Sequence, residues 1–343
     1  MASPEGRPVL ARTVAFFRRH PVLLLLGLTP GIPEYLSGSS SVALIVVSPV
    51  VFFLFLGLNL GLYGPGVLLL REAWIRWGKS WGSLLFFGAA YGLLEEGTAL
   101  STLFDPNASV VSGLGHYGRY AGVNWVWLIG VLGVHIVLSV GVPILLLGLA
   151  LPETRGRSLL SKRETVVAAV IYVVDIALLA VISRYWRVQP AWLVGAALVA
   201  ILLWVIAVRL PPGWLDPPRE RPTLAPRAFF FLGLAYFPIL LIVPGLGETA
   251  HWPALVTGAV DLALSALLFL AVQRTIGRRA NEPQLILLAL GITLPIALFG
   301  LFSQVGLPVV LGVDLVYGLF FYTLWRHYRP APAPVPPPAV VAS

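Results

Sequence analysis

Stretches of about twenty apolar residues recur along nearly the whole chain, and they constrain its fold more than any other feature. A helix needs about 20 such residues to cross the roughly 30 Å hydrocarbon core of a bilayer. The chain is 58% hydrophobic and 11% charged, with a mean hydropathy of +0.89. These values predict an all-α polytopic integral membrane protein, and 343 residues leave no room for a separate soluble domain of ordinary size.

Apolar length, and the Pro, Gly and Arg residues that interrupt it, predict about ten membrane-crossing helices in a single transmembrane domain over 21–325. The predicted spans are 21–37, 42–70, 82–104, 124–151, 165–183, 191–208, 228–246, 254–272, 284–303 and 308–325. A basic N-terminus (1–20) precedes this domain, and a Pro-rich tail (326–343) that we expect to be disordered follows it. For the first span, a cleaved signal peptide is the alternative, although its charged region would be unusually long.

The basic residues support this count and give an orientation, because Lys and Arg are retained on the cytoplasmic side of a membrane. If the N-terminus is cytoplasmic, all 23 basic residues fall on cytoplasmic segments except Arg119, Arg184 and Arg187. We therefore expect a plasma-membrane protein with both termini in the cytoplasm. Basic loops beside the lipid bilayer explain the net charge of +8, so no nucleic-acid partner is predicted. Substrate and oligomeric state stay open at this point.

Three short segments recur in the same order, which suggests two parallel repeats (21–151 and 228–325) joined by the helix pair 165–208. Such repeats occur in transporters, where the binding site lies at the repeat interface. The alternative is chance similarity between apolar sequences. The matched segments are "PGIPE" (30–34) with "PGLGE" (244–248), "GLLEE" (92–96) with "GLFSQ" (300–304), and "VLGVHIV" (131–137) with "VLGVDLV" (310–316).

Ionisable residues inside the predicted spans are the main candidates for function, because each costs about 2.5–3.5 kcal/mol to insert at the bilayer centre. These residues are Glu34, Glu95, Glu96, His135, Asp175, Asp261 and Asp314. Glu95, Glu96 and His135 are expected at a similar depth, and they are the predicted catalytic and metal-binding residues, with a divalent metal as the cofactor they allow. For the isolated acids of later spans, a packing role is an equal alternative. The predicted substrate or ion path contains Glu34, Glu248, His251 and Asp314.

A glycine ridge predicts where the glutamate pair points. Gly88, Gly92 and Glu96 follow each other at intervals of four residues, and the Gly88–Gly92 pair forms a GxxxG pattern that lets another helix approach closely. Glu96 is therefore expected in a helix–helix seam. Glu95 is rotated from it by about 100° and is expected to face a cavity or a second neighbour.

Several other sites are excluded by the sequence. The chain has no cysteine, so disulfides, thiolate metal sites and cysteine nucleophiles are impossible. The segment "GLGHYG" (113–118) matches GxGxxG but lacks the preceding strand that a dinucleotide site requires. No dinucleotide cofactor is therefore predicted.

The glutamate pair resembles the first motif of the CPBP family of intramembrane proteases, which is a Glu pair followed four residues later by an arginine, with histidines on later helices. Glu95 and Glu96 match the pair, and His135 matches a later histidine. Leu100 replaces the arginine, Val131 replaces an aromatic residue, and no second histidine lies within a later span. The resemblance covers roughly 45 residues, and it implies glutamate-activated water chemistry by analogy only.

Three functions remain open from the sequence. An intramembrane hydrolase would use Glu95, Glu96 and His135 to activate water, and it requires these side chains to lie together in a cavity. A proton- or cation-coupled transporter would use the same acids as carriers along a path reachable from both faces. A non-catalytic membrane scaffold would have every intramembrane acid satisfied by a neighbour and no cavity.

Overall fold

The computed structural model describes residues 6–183, 188–303 and 307–328, and most of them are helical. The α-helices are α1 (Gly6–Arg19), α2 (Pro21–Pro30), α3 (Leu44–Val47), α4 (Pro49–Arg76), α5 (Trp81–Gly92), α6 (Trp125–Val134), α7 (Val142–Ala150), α8 (Lys162–Ile182), α9 (Pro190–Arg209), α10 (Pro226–Leu234), α11 (Val243–Thr249), α12 (Ala254–Ile276), α13 (Glu282–Ser303) and α14 (Leu307–Tyr328). Four π-helical segments interrupt or extend them: Gly31–Leu36, Leu93–Ala99, His135–Gly141 and Pro238–Ile242. Two 3₁₀ turns, Ser109–Gly115 and Pro152–Thr154, and one hairpin of β1 (Arg119–Tyr120) and β2 (Val123–Asn124) complete these elements.

Seven helical segments in the described ranges are long and apolar enough to cross a membrane. They are Pro49–Arg76, Trp125–Ala150, Lys162–Ile182, Pro190–Arg209, Pro226–Thr249, Ala254–Ile276 and Glu282–Phe302. The chain is therefore a multi-pass helical membrane protein, as its composition predicts. The other three predicted spans coincide with helices outside this set, namely the shorter apolar Pro21–Leu36, the α5 helix with its π-helical extension, and α14.

The second membrane-crossing helix differs in extent from its prediction. The sequence predicts a span over 42–70, whereas the short α3 comes first and α4 begins at Pro49 and continues to Arg76. Proline is favoured at the first position of a helix because its missing N–H has no partner there in any case. The extension at the other end places Arg71 and Glu72 within the helix, and both are buried.

The π-helical segments account for several prolines. Pro33 and Pro238 lie within such segments, and Pro143 directly follows another. A proline removes one backbone donor and crowds the carbonyl four residues earlier, and a wider turn accommodates both effects. Pro65 and Pro295, in contrast, lie inside uninterrupted α-helices.

Glycines bring neighbouring helices into close contact. A Cβ atom on Gly291 of α13 would lie 2.1 Å from the carbonyl oxygen of Phe230 on α10, and one on Gly233 would lie 2.4 Å from that of Leu288. In the same way, a Cβ on Gly88 of α5 would lie 2.8 Å from Cα of Ile136. Small residues allow this backbone approach, which is the usual basis of helix packing in membranes.

The segment 101–124 folds back over one end of the bundle. Asn124 caps α6 by accepting from the N–H of Trp127 (3.0 Å), and its amide donates to the carbonyl oxygen of Leu114 (2.7 Å). Arg119 donates to the carbonyl oxygens of Phe104 and Gly115, each at 2.9 Å. These bonds hold the segment, which we call the cover loop, in one defined arrangement across the ends of the helices.

Candidate functional site

The structure brings Glu95, Glu96 and His135 together, and we call these three residues the acid–histidine cluster. The glutamates lie on the π-helical segment after α5, and His135 begins the π-helical segment after α6. Such segments are rare and occur most often at functional sites, where the extra residue in a turn re-aims a side chain. A Cβ on Gly92 would lie 2.9 Å from the imidazole Cδ2, so the glycine lets the histidine approach the glutamate-bearing helix.

Short distances define the geometry of the acid–histidine cluster. The imidazole Nε2 lies 3.2 Å from Oε1 of Glu96, and Nδ1 lies 3.5 Å from Oε2 of Glu95. All three residues are buried, with exposed fractions of 1% for Glu95, 6% for Glu96 and 2% for His135. The predicted seam position of Glu96 and the predicted proximity of all three side chains thus agree with the structure.

Two further hydroxyl groups orient these side chains. Thr102 donates to Oε2 of Glu96, and it accepts from the indole N–H of Trp127 at 3.1 Å. On the other side, Ser139 lies one turn beyond His135, with its Oγ 3.0 Å from Nδ1. When Ser139 donates to Nδ1, Nε2–H donates to the Glu96 carboxylate; in the other tautomer Nδ1–H is donated to Ser139, and Nε2 offers the lone pair that a metal ion needs.

Glu95 differs from its neighbour because one of its oxygens is unsatisfied. Its Oε2 is buried and has no hydrogen-bond partner among the described residues. The 3.5 Å contact with His135 does not satisfy it, since Nδ1 is already bonded to Ser139. Because a buried polar atom without a partner is costly, such an atom points to a water, an ion or a substrate group as its missing partner.

A cavity of about 690 Å³ lies next to the cluster, and all three of its residues line it. The cover loop contributes Ala108 and Val111 to the lining, at the end of the cavity away from the α4 terminus at Arg76. This volume is typical of small-molecule binding sites. The second cavity, about 350 Å³ between α13 and α14, is lined by apolar and aromatic residues only.

Glu34 lies in the same cavity but is fully engaged. Its Oε1 accepts from the Tyr63 hydroxyl and its Oε2 from the Ser40 hydroxyl, both at 2.6 Å. Asn59 supports this arrangement by donating to Ser40 at 3.1 Å and to the Tyr35 hydroxyl at 3.2 Å. Glu34 is therefore held as an acceptor on the wall beside the cluster.

The remaining residues of the predicted path are divided by the structure. Glu248 lines the cavity, next to Gly113 of the cover loop. His251 is exposed after the end of α11, with a positive φ of 55°, and Asp314 lies on α14; neither lines the cavity. Of the isolated acids, Asp175 packs against Gly61 and Asp261 is buried on α12, again away from the cavity lining.

The three residues also form a set of ligands that a metal ion can use. One ligand atom from each of Glu95, Glu96 and His135 can be chosen so that all lie within 4.8 Å of one another. Carboxylate oxygens and a neutral imidazole are the ligands of many catalytic divalent ions, which keep a further position for water. Ser139 and Thr102 supply the outer-shell hydrogen bonds that such ligands usually have.

Comparison with known proteins identifies the family. A model described as the Uncharacterized membrane protein family matches residues 23–342, which is nearly the whole chain. The chain belongs to this family. No curated protein and no solved structure matches it. No CPBP family model matched, so the resemblance at the glutamate pair remains a prediction without support from these comparisons.

Several residues of the site were missed by sequence reasoning. Tyr63, Ser40 and Thr102 are ordinary polar residues on other helices or loops, and no spacing pattern connects them with Glu34 or Glu96. Ser139 was not missed: the sequence places it on the same helix face as His135, because it lies four residues later.

A second buried charged group was also missed, since the predicted span ended at residue 70. Glu72 is 2% exposed and accepts from the side chains of Arg71 (3.3 Å), Arg76 (3.0 Å) and Ser158, and from the N–H of Leu159 (2.7 Å). Arg71 also donates to the carbonyl oxygens of Thr154 (2.6 Å) and Arg157 (3.1 Å). We call this group the arginine–glutamate network. The i, i+4 spacing of Glu72 and Arg76 was the available signal.

Proposed function

We propose that this protein is an intramembrane hydrolase that activates water at Glu95, Glu96 and His135. The observation that carries the proposal is the unsatisfied Oε2 of Glu95, buried beside a second carboxylate and an imidazole at the edge of a 690 Å³ cavity. Asp175, Asp261 and Asp314 also have a carboxylate oxygen without a hydrogen-bond partner among the described residues, but none of them lines the cavity; a scaffold would not require a cavity beside such a group. A transport path would in addition have to continue to the opposite face of the membrane.

The reaction that these groups support is general-base hydrolysis. A water bound at Glu95 gives one proton to a glutamate carboxylate while its oxygen attacks the carbonyl carbon of an ester or amide. When the tetrahedral intermediate collapses, the bond from carbon to the leaving oxygen or nitrogen breaks, and the leaving group takes that proton. His135, fixed by Ser139, holds Glu96 in place through Nε2 and stabilises developing negative charge.

A divalent cation fits the same site. Glu95, Glu96 and Nε2 of His135 would be its ligands, and the cation would supply the Lewis acidity that lowers the pKa of a bound water. The outer-shell bonds from Thr102 and Ser139 support this assignment, because they leave one oxygen of Glu96 and one nitrogen of His135 directed at each other.

The test is hydrolysis by the purified protein together with its bound metal. Glu96→Gln is expected to reduce hydrolysis of a fluorogenic acyl ester by about 10²–10⁴-fold and to abolish stoichiometric Zn²⁺ or Mn²⁺ binding measured by elemental analysis. The matched control is Asp261→Asn, which changes a buried membrane acid outside the cavity and is expected to keep both properties. Full hydrolysis by Glu95→Gln and Glu96→Gln variants that fold normally would refute the proposal.

A proton- or cation-coupled transporter is the second candidate. The observation that favours it is the presence of Glu34 and Glu248 in the same cavity as the acid–histidine cluster, which gives a succession of carboxylates. In proteoliposomes, such a transporter would move protons or cations in a manner that depends on Glu34 and Glu248. A hydrolase would show no such flux, so flux measurements on the two variants separate the candidates.

We also propose the finer membrane arrangement: ten spans in one domain over 21–325, both termini cytoplasmic, and location in the plasma membrane. Support comes from the helices at Pro21–Leu36, Trp81–Ala99 and Leu307–Tyr328, which coincide with the three spans beyond the seven. The native chain has no cysteine, so a single introduced one can be labelled alone. His116→Cys is expected to react with an impermeant maleimide on intact cells, and Ser161→Cys is not; the reverse result would invert the orientation.

Two parallel repeats, 21–151 and 228–325, remain part of this proposal. Their support is a π-helical segment at each copy of the first matched motif: Gly31–Leu36 overlaps "PGIPE" and extends two residues past it, and Pro238–Ile242 precedes "PGLGE" with only Val243 between them. Gln304, which the repeat pairs with Glu96, lies outside the described residues, as does the tail from 329 onward.

A further inference from the structure

The two sides of the cavity have opposite chemistry. The wall from the first helices carries Glu34, Ser40, Asn59 and Tyr63, which form one hydrogen-bonded group. The facing wall is apolar and comes from the α6 region, α13 and the Pro238–Ile242 segment; its residues are Val131, Val134, Leu138, Leu240 and Ile296. A ligand that satisfies both walls has a polar end and an apolar body.

The apolar wall continues to the surface of the bundle. On the Pro238–Ile242 segment, Leu240 is buried and Leu241 is 39% exposed, and both line the cavity. On α13, Ile296 is buried and Phe299 is 47% exposed, and both line it as well. The two elements belong to helices that cross the membrane, so the exposed sides of Leu241 and Phe299 face hydrocarbon rather than water.

The two elements that carry these lining residues pack side by side. Gly291 and Gly233 bring α10 and α13 into backbone contact. Pro238 then begins a π-helical segment, and the ring of Phe237, just before it, lies 5.9 Å from that of Phe299. Leu241 and Phe299 therefore belong to neighbouring elements at the exposed edge of the cavity lining.

The charge of the cavity limits the polar end of the ligand. Four carboxyl groups line it, from Glu34, Glu95, Glu96 and Glu248, while none of its lining residues in the described ranges is Lys or Arg. With one divalent cation bound, the net charge of the cavity lining would still be negative. An anionic head group such as a phosphate is therefore repelled, whereas a neutral or cationic group is accepted.

The size of the cavity limits the apolar part. A 20-residue membrane helix is about 30 Å long and 10–12 Å across with its side chains, and it occupies several times the 690 Å³ available. A single acyl chain or a comparable small apolar group fits within the range of such pockets.

We infer that the substrate is a neutral or cationic single-chain amphiphile, and that it reaches the site from the bilayer between Leu241 and Phe299. The inference rests on the proposed hydrolase, because the polar end must carry the ester or amide that Glu95 and Glu96 would attack. The apolar chain lies against Val134, Leu138 and Ile296, and the polar end lies at the acid–histidine cluster.

The test is photolabelling of the full-length protein in nanodiscs with three diazirine probes of equal chain length: a monoacylglycerol, an alkylamine and an alkyl phosphate. The first two are expected to label Val134 or Leu138 saturably, at least roughly tenfold more than the phosphate. Leu241→Trp should reduce this labelling by a similar factor because it fills this entry. Its matched control is Ile242→Trp, since Ile242 is exposed on the same turn but does not line the cavity.

A second pair of variants keeps the test decisive if a variant of the first pair misfolds. Phe299→Trp should reduce labelling, and Leu298→Trp, equally exposed on α13 but outside the lining, should not. Equal labelling by the phosphate probe, labelling only by an apolar photoreactive peptide, or equal effects of test and control variants would overturn the inference.

Failure of this inference is distinguishable from failure of the proposed hydrolase. Saturable labelling without hydrolysis by the wild-type protein would refute the hydrolase and leave the amphiphile site standing. Hydrolysis of water-soluble esters without any amphiphile labelling would refute the amphiphile site and leave the hydrolase standing.

Discussion

The acid–histidine cluster and the arginine–glutamate network contain similar side chains at similar burial, but their hydrogen bonding is opposite. Glu72 accepts from four donors on α4 and on the segment after Thr154, so both of its oxygens are used. Glu95 has an oxygen with no partner and borders a cavity. Glu72 borders neither of the two cavities described above.

This difference separates a structural role from a functional one. A buried carboxylate that is fully paired stabilises the position of the groups it bonds, here the loop that includes Arg157, Ser158 and Leu159. A buried carboxylate that is left partly unpaired beside a cavity is a candidate for binding or catalysis, whereas Asp261 has an oxygen unpaired among the described residues but lines neither cavity. Burial of charge alone does not distinguish the two.

The largest expected effect on stability is therefore at Glu72. Glu72→Ala should lower the free energy of unfolding by about 3–5 kcal/mol, because it leaves Arg71 buried without its carboxylate. Glu95→Gln should change that free energy by less than about 1 kcal/mol. Unfolding of both variants in mixed detergent micelles, followed by circular dichroism, checks this, and equal losses would remove the distinction between the clusters.

Gly92→Ala should have the next largest effect. The added Cβ would lie 2.9–3.0 Å from His135, so the imidazole must shift, at a cost of about 1–3 kcal/mol. The control is Gly57→Ala on α4, where nothing lies within 4 Å of the added Cβ and a gain of roughly 0.5–1 kcal/mol is expected. Thermal unfolding measures both. Unchanged stability and hydrolysis in Gly92→Ala would show that the contact between the two helices tolerates a displacement of His135.

A smaller effect is expected at Thr102. Thr102→Val removes the hydroxyl that orients Glu96 and should weaken divalent-cation binding roughly tenfold, measured by titration of the purified protein. The control is Thr293→Val, a buried threonine whose hydroxyl bonds only to the carbonyl oxygen of Ala289 in its own helix. Similar cation affinities in the two variants would argue against an orienting role for Thr102.

The smallest effect is expected at an exposed ion pair. Glu220 lies 3.0 Å from Arg279, but their side chains are 64% and 79% exposed. Glu220→Gln should therefore change stability by less than about 1 kcal/mol. Comparing the loss of unfolding free energy in Glu220→Gln with that in Glu72→Ala, in the same assay, shows how much of the loss at Glu72 comes from burial. A loss of 3 kcal/mol or more would contradict that explanation.

The sequence by itself determined the class of fold and the residues at the centre of the candidate site. Apolar runs of membrane-crossing length require helices, because no other open backbone arrangement satisfies its hydrogen bonds in hydrocarbon. Gly88, Gly92 and Glu96 share a helix face for reasons of helical geometry alone, and the structure places this face against Ile136 and His135.

Only the tertiary structure decided what surrounds that centre. Tyr63 and Ser40 donate to Glu34 from positions 29 and 6 residues away in the sequence, and Trp127 and Thr102 are 25 residues apart. No helical or strand periodicity could therefore connect these pairs. The π-helical turns, the cover loop and the cavity depend on how helices pack. The physical reason is that the bilayer fixes the length and polarity of each helix but does not determine which helices pack together. That packing depends on glycine contacts and on hydrogen bonds between distant residues.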